Sequence, residues 1–259
     1  MAFDEPYRWV EAVRNRRDYL EEQLSAGSPI VALPFQNGIL IATLGTGTSK
    51  LYEVYDQIAF GGIGHPADLE KLRNVMLDTA HVEGFNRSPA DVTVRRLMKF
   101  VLAPMVKQAF EEVLHAPYIA KIVMAEISLP SGKPLFFRLN YDGVFEEEEK
   151  GTVLTSTPIM AERMEAFLNT VGDTSATSFS EALRTSLRTW AISQLETDLE
   201  AEKQAGAVPT PEALDPLLKR SLESHTIEVA LLDRTEPGSS KYRTPSRDEI
   251  EQALKGWLK

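Results

Sequence analysis

The chain contains no cysteine among its 259 residues, which excludes disulfide bonds and thiolate-bound zinc. No uncharged apolar run approaches the roughly 18 residues that a membrane-spanning helix needs. Residues 1–6 carry neither the basic nor the apolar segment of a secretory signal. We therefore expect a cytoplasmic protein with no membrane partner.

Basic residues are scarce relative to acidic ones, 28 against 38, and the formal net charge is −10. This balance argues against nucleic acid as the main partner. The four histidines lie far apart and show no paired ligand spacing, so we expect no metal site; they are His65, His81, His115 and His225. The glycine-containing segment 45–49 falls between predicted strands and does not lead into a helix, so we expect no cofactor.

The apolar residues, 43% of the chain, are arranged with the periods of regular structure. Residues 7–26 predict an amphipathic helix that ends at Gly27 and carries four spaced apolar residues, Trp9, Val13, Leu20 and Leu24. Short strands follow at 30–33, 38–44, 51–54 and 58–62, and Asn-Gly at 37–38 predicts a hairpin between the first two.

The remainder of the chain predicts helices and strands in separate blocks. Helices are expected at 66–84, 88–114 with a kink at Pro104, 158–169, 178–195 and 247–258. Strands are expected at 119–129, 135–141, 152–155, 226–232 and 241–243, and the acidic run 146–149 as a solvated turn or edge protector. This order predicts an α+β sandwich of two stacked, mostly antiparallel sheets with helices outside.

Several local sequences resemble the α-subunits of 20S proteasomes, most closely those of bacteria. They are SPIVAL at 28–33, GILIA at 38–42, KLYEVYDQIAF at 50–60, EGF at 83–85 with DVT at 91–93, YDG at 141–143 and EVALLD at 228–233. They occur in family order. The resemblance implies a four-layer αββα sandwich of the Ntn-hydrolase type, spanning residues 27–233.

Two stretches depart from the family pattern and inherit nothing from it. Residues 196–224 are charged, broken by glycine and proline, and are expected to form an insertion with a short helix at 212–222. Residues 234–259 are expected to form a strand and helix extension at the C-terminus. Residues 1–26 make a third unit, a tail followed by a helix.

The resemblance places Ser28 at the position where catalytic β-type subunits expose a threonine. Lys50 falls near the active-site lysine, but Leu44 replaces the aspartate. The family mechanism needs a free α-amine as base, and the nitrogen of Ser28 is an amide. We therefore expect no catalysis by this chain. The alternative is a self-compartmentalising Ntn peptidase in which processing after Gly27 exposes Ser28.

The resemblance also assigns the N-terminus to a ring. In the family, an N-terminal helix packs against neighbouring α-subunits in a seven-membered ring, and the residues before it form an axial gate. Here the gate residues would be Phe3, Asp4, Glu5 and Pro6, and the ring-packing residues Tyr7, Trp9, Val13, Leu20 and Leu24. An ordinary amphipathic helix packed on its own subunit explains the same periodicity.

Lys50 is the strongest candidate for binding. The matching family lysine lies in a pocket between α-subunits and pairs with the C-terminal carboxylate of an AAA ATPase or other activator. The alternative is a surface lysine at the start of a strand. The resemblance thus implies a non-catalytic α-type subunit whose partners are β-type subunits, neighbouring α-subunits and an activator. A solitary structural ring is a further alternative.

Overall fold

The structure is a computed structural model that describes residues 6–112, 114–129, 131–195 and 209–257. Three of the expected gate residues, Phe3, Asp4 and Glu5, lie outside these ranges. Pro6 is the first residue of the first helix.

The described strands form two five-stranded sheets, and every neighbouring pair of strands is antiparallel. The first sheet contains β1 (Ile30–Phe35), β2 (Gly38–Gly45), β8 (Thr152–Leu154), β9 (Thr226–Asp233) and β10 (Tyr242–Arg243), in the order β10-β9-β2-β1-β8. The second contains β3 (Leu51–Tyr55), β4 (Ile58–Gly64), β5 (Ala120–Ile127), β6 (Pro134–Leu139) and β7 (Phe145–Glu148), in sequence order.

Helices cover the outer faces of both sheets. The first sheet packs against α5 (Pro158–Val171), α6 (Phe179–Ala191), α7 (Pro211–Ser221) and α8 (Arg247–Leu254). The second packs against α2 (Pro66–Asn86), α3 (Val94–Leu97) and α4 (Ala103–Glu111), while α1 (Pro6–Leu24) contributes to the core between the sheets. The predicted α+β class and αββα layering are confirmed. None of the described helices combines the length and hydrophobicity of a membrane span.

The strand β2 shows how one apolar sequence supplies two cores. Ile39 and Ile41 point between the sheets, whereas Leu40 and Ala42 point toward the outer helices. Successive side chains of a strand project to opposite faces, so a strand buried on both sides is apolar throughout. Each fully buried aliphatic side chain contributes about 1.5–3 kcal/mol relative to an exposed one.

The predicted hairpin between β1 and β2 is present, but Gly38 is needed for a reason other than the turn. Phe35 pairs with Gly38 across a two-residue loop, and no described non-glycine residue, Asn37 included, has a positive φ. Gly38 itself has a φ of 153°, and a Cβ there would lie 1.9 Å from the carbonyl oxygen of Leu232. The glycine is therefore required by the close approach of β9.

The helix predicted at 88–114 begins later and ends earlier than expected. Ser88 caps only the short 3₁₀ turn Pro89–Asp91, and Thr93 is the N-cap of the helix that starts at Val94. The helix ends at Glu111. The kink expected at Pro104 takes the form of a π-helical turn over Met98–Leu102, which joins α3 to α4. A π-turn before proline accommodates the lost N–H donor.

The acidic run 146–149 lies mainly in a strand. Residues up to Glu148 belong to β7, the edge strand of the second sheet, and its glutamates pair with arginines of neighbouring elements. Arg138 binds Glu146 and Arg95 binds Glu147. The alternative of a turn was wrong for these residues, and the charged edge agrees with edge protection.

Both segments that the sequence separates from the main domain pack onto it. In α7, Leu214 and Leu218 are fully buried in the first core, and Asp215 pairs with Arg188 of α6 at 2.8 Å. In α8, Ala253 reaches the same core. Residues 196–208 lie outside the described part of the chain. The division into a main domain, an insertion and an extension stays a prediction.

Candidate functional site

A cavity of about 360 Å³ opens at the end of the sandwich where α1 meets the first strands. It is lined by the end of α1, the start of β1, the end of β2, the start of β3 and the start of α2. The cavity brings together Ser28 and Lys50, both singled out in the sequence, and adds His225 from the segment before β9.

Lys50 is positioned through its main chain. Its backbone N–H donates to both carboxylate oxygens of Glu228, at 2.9 and 3.1 Å, and the N–H of Leu51 donates to the same carboxylate at 3.0 Å. The hydroxyl of Ser49 is a further donor to Glu228. One carboxylate therefore fixes the backbone at the entry to β3.

The ammonium group of Lys50 is left available. Among the described residues, Lys50 forms no side-chain hydrogen bond or ion pair, since the bonds to Glu228 come from its backbone. Burial lowers the pKa of Lys50, and the charge of Glu228 acts in the opposite direction. A partly desolvated cation whose ammonium forms no ion pair with the described residues can bind a carboxylate from outside.

The role of Glu228 was not evident from the sequence, although a signal was present. Glu228, Ala230 and Leu232 alternate along β9, and the last two are buried between the sheets. Glu228 pairs in register with Thr43, which is fully buried. A carboxylate that continues an inward-facing series at the end of a strand needs a partner, and here the partner is main-chain N–H.

The hydroxyl of Ser28 is engaged by neighbours that do not activate it. Its Oγ donates to the carbonyl of Leu44 at 2.6 Å and accepts from the indole nitrogen of Trp190 at 2.9 Å. Trp190 is another contact that the sequence did not reveal. An activated nucleophile needs an adjacent base, whereas a carbonyl accepts the hydrogen bond here without taking the proton.

The chain around Ser28 is tightly packed on both sides. The N–H of Gly27 donates to the carbonyl of Leu24 at 2.9 Å, and a Cβ on Gly27 would lie 2.1 Å from Cγ2 of Ile63.

His225 lies against Trp190 with ring centroids 6.0 Å apart, and its Nδ1 is 3.1 Å from the carbonyl of Ser221. Among the described residues, no three acidic or histidine side chains converge as a metal site.

The helix α1 has a buried part and an exposed part. Leu20 and Leu24 are 0% and 1% exposed in the core between the sheets, and Val13 packs partly against that core. Trp9 and Tyr19 are 48% and 46% exposed. The leucines therefore pack within the subunit, whereas Trp9, three turns nearer the N-terminus on the same face of the helix as Leu20, remains open to a neighbour.

Polar contacts fasten α1 to the end of the second sheet. The buried guanidinium of Arg16 donates to the carbonyls of Ala109 and Glu112, at 3.2 and 3.1 Å, at the end of α4. Tyr141 donates its hydroxyl hydrogen to Glu21 at 2.8 Å. Carbonyls at a helix C-terminus lack intrahelical donors, so a cation is a favourable partner there.

Sequence comparison finds relatives along nearly the whole chain. "Proteasome subunit alpha" of Actinosynnema mirum is 28% identical over 229 residues, 88% of this chain and 78% of the relative. The protein of the same name from Frankia casuarinae is 28% identical over 252 residues, 96% of this chain and 93% of the relative. That of Streptosporangium roseum is 31% identical over 148 residues, 55% of this chain and 56% of the relative.

No protein-family model matches the chain. The similarity to the curated relatives nevertheless runs through both sheets, and the two antiparallel sheets with their outer helices form the expected sandwich. Together these observations show that the chain is similar, over nearly its whole length, to bacterial proteins named proteasome subunit alpha.

Proposed function

We propose that this chain is the non-catalytic α-type subunit of a bacterial 20S proteasome. It forms the outer ring in the cytoplasm, sits on a ring of β-type subunits that carry the threonine nucleophile, and restricts substrate entry. An ATPase or other activator docks on it through Lys50. The observation that carries the proposal is the ammonium of Lys50, which faces the cavity and forms no ion pair with any residue that the structure describes.

Docking at Lys50 follows from the electrostatics of the cavity. The carboxylate of Glu228 is committed to backbone N–H groups, so it competes weakly for the ammonium of Lys50. A C-terminal carboxylate entering the cavity gains a charge-assisted hydrogen bond of about 1.5–3 kcal/mol. One such contact is weak, but several tails docking on one ring bind together through effective concentration.

The lack of catalysis is supported by the surroundings of Ser28. Its nitrogen is part of an uninterrupted main chain, and its hydroxyl donates to a carbonyl. The alternative, an Ntn peptidase with Ser28 exposed by processing, requires release of α1, whose leucines are buried in the core. Intact-mass measurement decides between them, because processing would remove 27 residues.

The docking role is tested with Lys50→Ala. We expect this variant to lose ATPase-stimulated proteolysis while particle assembly remains normal, because the docking carboxylate loses its cation. The matched control is Lys107→Ala, which removes an exposed lysine paired with Glu111 on α4. Stimulation of peptide and protein hydrolysis is measured for assembled particles. Stimulation that survives Lys50→Ala would show that the docking role is wrong.

The gate is tested by deletion of residues 2–6. A narrow pore excludes folded domains, so removing the proposed gate should raise the unstimulated hydrolysis of an unstructured protein. Hydrolysis of a short peptide by the same particles serves as control for the β-type active sites. Unchanged basal activity toward the unstructured protein would remove the gate from the proposal.

A further inference from the structure

Lys50 and Lys121 are both partly buried, and they differ in what holds the ammonium group. Burial lowers the pKa of both Lys50 and Lys121. Lys121 donates to the carbonyls of Thr155 and Ser156 at 3.1 and 2.8 Å. Lys50 has no such acceptor among the described residues and faces the 360 Å³ cavity. A reagent that enters the cavity can therefore reach this amine, which donates no hydrogen bond to the described residues.

We propose that Lys50 is a site of acylation by a small acyl donor, either an acyl phosphate or an acyl thioester, and that acylation there switches off docking. The second half of this inference rests on the proposed function. The cavity of about 360 Å³ has room for an acyl phosphate, or for the acyl end of a thioester whose larger carrier stays outside.

The reaction is an acyl transfer to a neutral amine. The lone pair of Lys50 Nζ attacks the acyl carbonyl, the carbonyl carbon's bond to the phosphate oxygen or thiol sulfur breaks, and the leaving group departs. A proton from the amine goes to water, and an amide remains. A lysine without a counter-ion and with burial against its charged form reaches the neutral state more readily than an ion-paired one.

Acylation would remove the feature that makes the cavity a carboxylate site. The amide carries no charge, and Lys50 is the one lysine or arginine among the described residues that line the cavity. A docking carboxylate would then be desolvated without a cationic partner, which is unfavourable. Because Glu228 binds the backbone of Lys50, the modification leaves the fold around β3 intact.

The test compares three lysines in the same particle. Assembled particles are incubated in parallel with acetyl phosphate and with acetyl coenzyme A between pH 7 and 9, and site occupancy is measured by peptide mass spectrometry. We expect Lys50 to be acetylated several-fold faster than buried Lys121 and than Lys107, which is paired with Glu111. The reagent with which Lys50 is acetylated fastest identifies the class of donor, acyl phosphate or acyl thioester. If Lys50 leads in neither arm, the proposal is overturned.

The regulatory half has its own readout. Stimulated proteolysis should fall in proportion to acetylation of Lys50, while Lys50→Arg particles treated identically should keep the stimulation they had before treatment. Equal loss in Lys50→Arg would place the effect elsewhere and overturn the switch. If untreated Lys50→Ala remains fully stimulated, the docking role fails, while the acetylation rates still decide whether Lys50 is modified.

Discussion

Glu228 and Glu126 each bind main-chain N–H groups in place of basic side chains. Glu228 binds the backbone at the entry to β3, and Glu126 of β5 accepts from the N–H of Val94 at 2.6 Å, at the start of α3. In both cases the bound N–H groups lie where a loop leads into a strand or a helix. Each satisfies donors that the element itself leaves unpaired.

Glu126 gives a pH-dependent prediction. It is 4% exposed, and burial raises the pKa of its carboxyl despite the bond from Val94. The folded state therefore binds the proton more tightly than the unfolded state, so the contribution of Glu126 to stability is largest at low pH. It declines as pH rises from the unfolded pKa through the folded pKa.

We expect Glu126→Gln to gain stability relative to the wild type as the pH rises from 4.5 to 8. Glutamine keeps the acceptor oxygen but cannot ionise. The free energy of unfolding is measured by urea denaturation across this range. Glu148→Gln on the exposed part of β7 is the control and should show little pH trend. A constant difference between Glu126→Gln and the wild type would contradict the assigned burial effect.

Among individual residues, Ser28 and Lys50 could be located from the sequence, because both lie in segments that resemble proteasome α-subunits. It did not reveal Glu228 as the partner of Lys50, because 178 positions separate them. Trp190 is 162 positions from Ser28. Contacts of this range depend on how the strands pair, and residue spacing along the chain does not encode them.

Among the elements, α1 is held through its C-terminal half by both apolar burial and polar contacts. Leu20 and Leu24 bury apolar surface, whereas Arg16 and Glu21 make polar contacts with α4 and with Tyr141. The polar contacts have fixed directions, so they set the orientation of the helix on the sandwich. Any surface that α1 presents to a neighbour depends on that orientation.

We expect Arg16→Ala to lower the free energy of unfolding by about 1.5–3 kcal/mol, because hydrogen bonds from a charged group to carbonyls are lost. Amide hydrogen exchange in α1 should accelerate. Arg14→Ala, which removes an exposed arginine of the same helix, is the matched control and should change stability little. Equal exchange rates in the two variants would show that Arg16 does not fasten α1.

Element types were largely predictable because the strands are short apolar runs between turn residues and several helices space their apolar residues with a 3.6-residue period. Boundaries were less so. The cap signal at Ser88 is real, but a 3₁₀ turn uses it, and Thr93 caps the helix itself. The helix predicted to reach residue 258 ends at Leu254, two residues before Gly256, which has a φ of 78°.

For the molecule as a whole, the exposed apolar residues of α1 bear on assembly. Trp9 and Tyr19 are half exposed, and Val10 is 58% exposed. Apolar side chains that remain exposed on a helix fastened to its own subunit are available to a second subunit. In the proposed ring they would contact a neighbouring copy, a contact that repeats around the ring.

We expect Trp9→Asp to weaken ring formation by about 2 kcal/mol per interface, the usual cost of losing a buried interface aromatic. Particle size is measured by light scattering coupled to gel filtration. The thermal melting of the subunit should change little, since Trp9 is half exposed there. Val171→Asp at the end of α5 is the control for an exposed apolar residue. Rings of normal stability in Trp9→Asp would exclude this surface.

The layered architecture could be predicted at this scale, but the packing of α7 and α8 could not. The charged, proline-broken composition of 196–224 suggested an insertion, whereas Leu214 and Leu218 complete the first core. In the sequence, two leucines in a short helix give only a weak amphipathic pattern. Their burial becomes evident only when the position of the helix on the sheet is known.

Because Glu228 holds the backbone of Lys50, the preceding loop is not needed to position this lysine. Residues 46–48 are exposed, and a Cβ at Gly47 would meet no atom within 4 Å. That loop can therefore lengthen or change composition without displacing the lysine. A short epitope or fluorophore attachment sequence inserted at Gly47 would report on events at the cavity from the outside.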